Sequence, residues 1–593
     1  MVTVTLPSSL AGSNIPIYLV SNGAGAPFSG SPEGSNHFGS ATSNAVQVPV
    51  TPCTPTVSSV QVSGQATNTI IAGTNGSISI YGSCLGGATS VQSDGSGLQF
   101  GPVSYTADGR VDVSFQTSSS ASGGAHNVTV STANGTNGAS SAAQVFATSV
   151  SLQSFSFTNS VQYLRDCSTV FALIDQPTWP SGAIRCRQAS NFAGDHAVYA
   201  SGKTMQGTAV FALDPVPSQG VPGVYVQGTT AGYGTFTPTG SVSIQGGTAT
   251  FSAPVSSDTA FAARQTQFIN PLNINWSVAQ TGASCAGGCV AAGASSNPVY
   301  VTLADSVLPQ FLPANTTNPN PVMLTYVKLA VGNGGAYNQA TALANTWAQF
   351  STGNGPANVT TWDDRSMQYY TAGFPSCAFT AQTIVENVDP NGAYSPSAQC
   401  GAFELLLESA LAMNGIHSNR LTVTAAYQPT GPAEWSKLVI KNWCFIGTTG
   451  CPPGTPTYPT EPDWKYQLRL NLPDYMVPTP AGGYGLDLTN LQGIQGQGEN
   501  GTTTPPYTPL EKVFDSHFIA QIPTLDGAPT AGNQYYDPSY GVTYPSEAGF
   551  ESQAVAGYAY EFFVDLGTGV NHVFTPIAGS PNIRFDVFLP FSM

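Results

Sequence analysis

In the first half of the chain hydrophobic and polar residues alternate with a period of two over short runs, the mark of half-buried strands. Ser58–Val62, Ser77–Tyr81, Val111–Phe115 and Asn127–Ser131 read this way, with an Asp108-Gly109 turn before the third. Strands at such short intervals predict an immunoglobulin-like β-sandwich over residues 51–149. Thr208–Leu213, Gly223–Gln227 and a hairpin Ser241–Ser252 turning at Gly246-Gly247 predict a second β-sandwich over 150–263. Residues 264–305, with Asn275-Trp276-Ser277, read as a third small β unit or as a connection. Residues 1–50 are rich in Gly, Ser and Asn and predict an irregular lead-in ending in a strand at Ala45–Val50.

The period changes further on. Val322–Leu329 is a strand-like apolar run, and Ala340, Leu343, Ala344 and Trp347 then recur at helical spacing within Tyr337–Phe350. Ser395–Gly415 predicts a second, buried helix. Ser395 or Ser397 caps it, Pro396 suits its first turn and Gly415 its end, while Glu404 and Glu408 mark its one polar face. Strands follow at Leu421–Ala426, Lys437–Trp443 and Tyr466–Leu470, so residues 306–593 have an α+β pattern.

Candidate chemistry sits on this second helix. Cys400 lies in its first turn, where unpaired N–H groups and the helix dipole favour negative charge, so it is a candidate nucleophile. A buried structural cysteine is the competing reading of that segment alone. Downstream, Phe514–Ile522 and Asn533–Tyr540 alternate like strands, separated by a loop with Gly527, Pro529 and Gly532. If they pair as antiparallel neighbours, His517 and Asp537 share a face, and Cys, His and Asp make a nucleophile, a base and its orienter. His417 is about a helix length from Cys400, and Asp515 points beside the ring of His517 rather than at its distal nitrogen, so neither fits as well.

Gln399-Cys400-Gly401-Ala402-Phe403 opening a helix, His517 at a strand start and Tyr536-Asp537-Pro538 together resemble the transglutaminase-like superfamily of cysteine enzymes over residues 306–545. The resemblance implies a transglutaminase-like (papain-like) catalytic domain, extended to 593 by further strands, with Cys400 as nucleophile, His517 as general base and Asp537 fixing the imidazole. It implies a thioester formed from a carboxamide or peptide substrate, resolved by water or by an amine. Hydrolysis is favoured, because relatives with added sandwiches are often peptidases or amidases. The sequence departs from the family at Gly401, where an aromatic residue usually follows the cysteine. The backbone N–H of Cys400 is the oxyanion donor that the mechanism itself requires, with Gln399 and Trp362 as further candidates. The triad requires no metal or organic cofactor, and calcium on Asp and Asn loops stays open.

Composition narrows the setting. Only 8% of residues are charged, yet 41% are hydrophobic and 10% aromatic, which argues for folded, β-rich domains rather than disorder. A net charge of −16, with no lysine before Lys203, argues against a nucleic-acid partner, and no apolar stretch is long enough to suggest membrane insertion. The cysteines fall into local couples, Cys53 with Cys84, Cys167 with Cys186, Cys285 with Cys289 and Cys444 with Cys451, leaving Cys377 and Cys400 over. Such couples predict disulfides and a secreted or cell-surface protein whose signal peptide is not in this chain. The half zinc site that Cys285 and Cys289 offer lacks a second pair of ligands. His126 and His196 read as structural. The rival class is a non-catalytic structural or adhesive surface protein built of sandwich modules, and glycan or cell-wall contact through exposed Tyr and Trp is compatible with either class.

Overall fold

Strand Gln144–Phe157 is fourteen residues long and belongs to both β units. Its first residues pair with Gly124–Thr132, and from Ser149 onward it pairs with Thr204–Asp214. The structure, a computed structural model, describes residues 14–17, 46–49, 53–165, 172–181, 194–280, 285, 288–304, 322–351, 359–364, 368–369, 397–398, 400–425, 434–440, 444–445, 457–458, 476–478, 484–486, 513–514, 517–539, 541–565, 570–576 and 583–587.

The first unit is a sandwich. One sheet runs Thr56–Val62, Asn75–Ser83, Arg110–Thr117, Leu98–Ala107, all antiparallel, with Asp108-Gly109 closing the last hairpin. The facing sheet holds Ser90–Ser93, Gly124–Thr132, the start of Gln144–Phe157 and Thr69–Ile71. Inward residues alternate along each strand, so Val60, Val62, Ile78 and Ile80 meet Val128 and Val130 across the core. A Cys53–Cys84 disulfide ties the segment before the first strand to the end of the second, with Cα atoms 5.8 Å apart.

The second unit is one continuous sheet. From Gln144–Phe157 the order is Thr204–Asp214, Thr250–Ala260, Thr235–Pro238, Val221–Thr230, Gln267–Ala279, Val290–Thr302, Ala197–Ala200. Phe155, on the first strand of that order, lies 5.0 Å from Trp276 on the sixth, so the sheet folds over a shared aromatic core. Residues 264–305 therefore supply two strands of this sheet, and a Cys285–Cys289 disulfide joins them at the tip of their hairpin. The expected Ser241–Ser252 hairpin turns at Gly247 but does not pair with itself. Val242–Ile244 pairs with Val221–Thr230, whereas Thr250–Ala260 pairs along its length with Thr204–Asp214. The boundary expected at 149/150 falls inside a strand, and the two β units are bound further by Gln280. Its buried amide donates to the Thr69 carbonyl and accepts from Ile71 N–H at 2.9 Å.

The third unit packs helices on sheets. Its helices are α1 (Leu324–Val331), α2 (Gln339–Ser351), α3 (Cys400–Ala412) and α4 (Glu547–Ala554). A five-stranded antiparallel sheet runs Val542–Tyr544, Tyr535–Asp537, His517–Gln521, Asn419–Ala425, Ile583–Val587. A second sheet holds Val513–Phe514, Glu434–Ile440, Val555–Asp565 and Val570–Pro576. Val322–Leu329, expected as a strand, is largely α1. A mostly apolar run with a single charged position fits a buried helix as well as a strand, and every residue of α1 except Lys328 is buried. The helix expected from Ser395 starts at Cys400 instead, because Ser397–Ala398 is drawn out into parallel pairing with Gln368–Tyr369. The lead-in, expected to be irregular, holds an antiparallel pair, Asn14–Ile17 with Val46–Pro49. The expected strand Tyr466–Leu470, the Cys167–Cys186 and Cys444–Cys451 couples and Cys377 lie outside the described residues, wholly or at one partner.

One hydrophobic core spans the second and third units. Val198 and Tyr300 of the curled sheet, with Tyr163 of the separate short hairpin Tyr163–Arg165/Ala172–Ile174, join the same cluster as α1, α2 and α3. The end of α3 is pinned there. Gly415 takes a left-handed φ of 73°, Ile416 N–H reaches back to the Leu411 carbonyl at 3.1 Å, and buried Asn414 accepts from Leu303 N–H and donates to the Ala330 carbonyl. Replacing Asn414 by Ala leaves both backbone groups buried without a partner. The variant is expected to lose about 2 to 6 kcal/mol, counting 1 to 3 for each stranded group. Chemical denaturation followed by tryptophan fluorescence checks this, and a variant as stable as the parent contradicts the pinning.

Candidate active site

The three residues singled out in the sequence meet in the third unit. Strands His517–Gln521 and Tyr535–Asp537 are antiparallel neighbours with Ala520 opposite Tyr536 and Gln521 opposite Tyr535. In that register Asp537 stands opposite Ile519, so His517 and Asp537 are diagonal neighbours on one face. The result is a hydrogen bond of 2.8 Å from His517 Nε2 to Asp537 Oδ2.

Asp537 is itself held. Its other oxygen, Oδ1, accepts from the Ser539 N–H at 3.1 Å, and its carbonyl accepts from Gly541 N–H at 2.8 Å. The Asp-Pro-Ser segment is thus an Asx turn whose second oxygen is left for the imidazole. Gly541 is required there: its φ is 67°, and a Cβ would sit 2.5 Å from the Phe350 carbonyl oxygen at the end of α2. The His517 ring is also stacked on Phe550 of α4, with centroids 6.2 Å apart.

Cys400 comes from the opposite direction. As the first residue of α3 it sits where the helix leaves its N–H groups unpaired, close enough to the His517 ring to raise the pKa of the imidazole. The helix can come this close because residue 401 is glycine. A Cβ there would lie 3.4 Å from the Phe518 ring, in contact already, and the Phe518 ring fills the space a larger side chain would need. The departure from the family pattern at Gly401 therefore has a local partner in Phe518.

Electrostatics favour a charged pair. Burial lowers the pKa of His517, but the Asp537 carboxylate and then Cys400 outweigh it, and the imidazole is pushed up to about 10. At neutral pH the ring is therefore an imidazolium paired with the Asp537 carboxylate. All three groups are covered: Cys400 is 2% exposed, His517 1% and Asp537 0%.

The other candidates stand differently. Trp362 is buried in the same core, but its ring packs edge-on to His196 of the curled sheet, centroids 5.1 Å apart. Its segment is tied to α1, with Trp362 N–H donating to Thr325 Oγ1 at 3.2 Å and Lys328 Nζ bonding Thr360, Thr361 and Asp364. Gln399 lies outside the described residues. Sequence reasoning missed one group. Glu404 and Glu408, expected to form a polar face, are turned inward onto Arg420 of the neighbouring strand, with Arg420 Nε bonding Glu404 and Nη2 2.8 Å from Glu408 Oε2. The readable signal was a lone Arg following a helix with two carboxylates four residues apart. Among the described residues no cluster of three or more His, Cys, Asp or Glu could hold a metal, and no helix is long and apolar enough to cross a membrane.

No family model matches the sequence, and no curated protein matches it either. Among solved structures, the Yersinia pseudotuberculosis adhesin InvE is 8% identical over 44% of this chain and 62% of its own, with a TM-score of 0.14. Rst D1-D2 is 8% identical over 41% of this chain and 100% of its own, again at a TM-score of 0.14. The I9-I11 tandem from titin is 10% identical over 41% of this chain and 98% of its own, at 0.11. None of these values reaches that of a shared fold.

The raised His517 pKa has a signed consequence. A base whose folded pKa lies above its ordinary 6.5 contributes stability that is complete below pH 6.5 and is lost as pH rises through about 10. Denaturation midpoints are therefore expected to fall between pH 6.5 and 10 and to fall less in His517→Asn. Parallel curves for the two proteins would contradict an imidazolium held by Asp537.

Proposed function

We propose that the third unit is a transglutaminase-like cysteine enzyme acting on a carboxamide or peptide bond. The observation that carries this is the single imidazole of His517, hydrogen-bonded to Asp537 through Nε2 and raised in pKa by Asp537 and by neighbouring Cys400. The Cys400 thiolate attacks the carbonyl carbon, forming a C–S bond and an oxyanion that the Cys400 N–H is placed to stabilise. Collapse breaks the C–N bond, the departing amine takes the proton from the His517 imidazolium, and a thioester remains. Water, or a second amine, then gives its proton to His517 and attacks the thioester. The acid or new amide leaves and the thiolate is regenerated. Asp537 keeps the ring in one orientation throughout. Hydrolysis is the favoured fate and amine cross-linking the other, since both use the same three residues; no metal or organic cofactor enters either. The setting that fits is secreted or cell-surface, with a protein or peptide substrate.

A second reading has its own observation. Cys400 is 2% exposed, so a substrate reaches the sulfur only if what covers it is displaced. Permanent cover would leave a structural or adhesive protein in which the triad is a buried polar cluster, with glycan contact through the sandwiches as its binding activity.

Iodoacetamide on the native protein separates the two. The enzyme reading expects alkylation at Cys400, release of fluorescence from dye-quenched casein or incorporation of a dansyl amine into casein, and loss of both in Cys400→Ala. Asp537→Asn is expected to lower turnover by on the order of 10² to 10⁴, because the ring loses its orientation while the thiol remains. An alanine variant as active as its parent, or a Cys400 that no reagent reaches without denaturant, overturns the catalytic assignment.

A further inference from the structure

We propose that Arg420, Glu404 and Glu408 form a clamp that sets the height of the Cys400 helix against the His517 strand, making Glu404 a positioning residue for the thiol. This rests on the triad reading above.

Cys400, Glu404 and Glu408 recur every four residues and lie on one stripe of α3. Arg420 is on Asn419–Ala425, the immediate partner of the His517 strand, with Arg420 opposite Ala520 and Val423 opposite His517. Sheet register therefore fixes the guanidinium relative to the imidazole. The helix stripe comes beside the imidazole at Cys400 and meets the guanidinium at Glu404 and Glu408, so it is held at two heights by two adjacent strands. Sliding α3 by one residue, about 1.5 Å, would break both contacts to Arg420.

The burial of this cluster argues against a merely surface role. Glu404 is fully buried, and its Oε1 has no hydrogen-bond partner among the described residues. Two carboxylates on one guanidinium carry a net negative charge unless one holds a proton. Burial is the largest influence on Glu404 and raises its pKa, Arg420 opposes and Glu408 adds, giving about 8; burial raises Glu408 as well. The charged groups acting on Glu404 are Arg420 and Glu408; Asp586 stands diagonal to Arg420 in the register of Ile583–Val587, and His517, opposite Val423, lies on the other face of the sheet. Lys328 of α1 is turned to Asp364, and α2 carries no charged residue. Below about pH 8 Glu404 holds its proton; above it, a further negative charge appears one helical turn from the sulfur and opposes negative charge there.

The test is the rate of Cys400 alkylation by iodoacetamide from pH 6 to 10 in the full chain. Glu404→Gln, a neutral isostere, is expected to match the parent within about twofold at pH 6 to 7 and to exceed it above pH 8. Glu404→Ala, which removes the contact, is expected to be slower by about tenfold to a hundredfold at every pH, the loss a misplacement near 1 Å produces. Superimposable profiles for parent and Glu404→Gln overturn the clamp, whether or not the alanine variant folds. If Cys400 of the parent is not alkylated at any pH, the triad reading falls and the clamp is judged on unfolding instead. An acid raised from 4.5 to about 8 contributes stability complete below pH 4.5 and lost as pH rises through 8, and Glu404→Gln should abolish that loss. An unchanged stability curve overturns the clamp in that case too.

Discussion

Near-complete burial of helix α3, with only Leu405 and Glu408 partly exposed, is the constraint from which most of the third unit follows. A helix so covered has little solvent for its polar groups, so each must find its partner on another element. Cys400 sits beside the His517 ring, Glu404 and Glu408 find Arg420, and Asn414 finds the backbone at Leu303 and Ala330. These partners lie on two neighbouring strands, on α1 and on the chain leaving the curled sheet. The helix position is consequently over-determined, and with it the position of the sulfur relative to the imidazole.

The same constraint shows which features were legible in the sequence. The His517–Asp537 pair could be read because its signals are local: two alternating strands separated by glycines whose register places the two residues on one face. The first sandwich could be read for the same reason, since each of its four expected strands has one clean buried face. Where burial is two-sided, periodicity fails. Val322–Leu329 offers Lys328 as its one charged position, too little to distinguish helix from strand, and Glu404 and Glu408 look solvent-facing because a partner twelve to sixteen residues away leaves no periodic trace. The start of α3 was misjudged because a strand partner at Gln368–Tyr369, not a capping residue, decides where extended backbone ends. The 149/150 boundary was invisible because the shared strand alternates without interruption across it.

Coupling between units gives the β part a role beyond spacing. The first two units share a strand and the Gln280 amide, and the second and third share a core in which Tyr300 stacks on His196 and His196 meets Trp362. Burial lowers the pKa of His196 to about 3, with buried Arg165 adding to the effect, so the ring stays neutral and behaves as an aromatic spacer. Arg165 is itself ion-paired with Asp195 in the same interface. Trp362, and through it the segment that Lys328 ties to α1, is thus braced by the curled sheet. The sheet is a wall of the third unit, not a detachable module in front of it.

A chain with so few charges makes each buried one informative. Removing an ion from water is expensive unless another group repays it. In the described part of the third unit the buried charges are concentrated beside Cys400, in the His517–Asp537 pair and the Arg420 cluster. A fold needing only stability would gain as much from apolar residues of similar size, as the first two cores do with Val, Ile and Phe. The third unit instead sets its buried ionisable groups on the helix and strands around one covered cysteine, an arrangement that apolar packing alone does not call for.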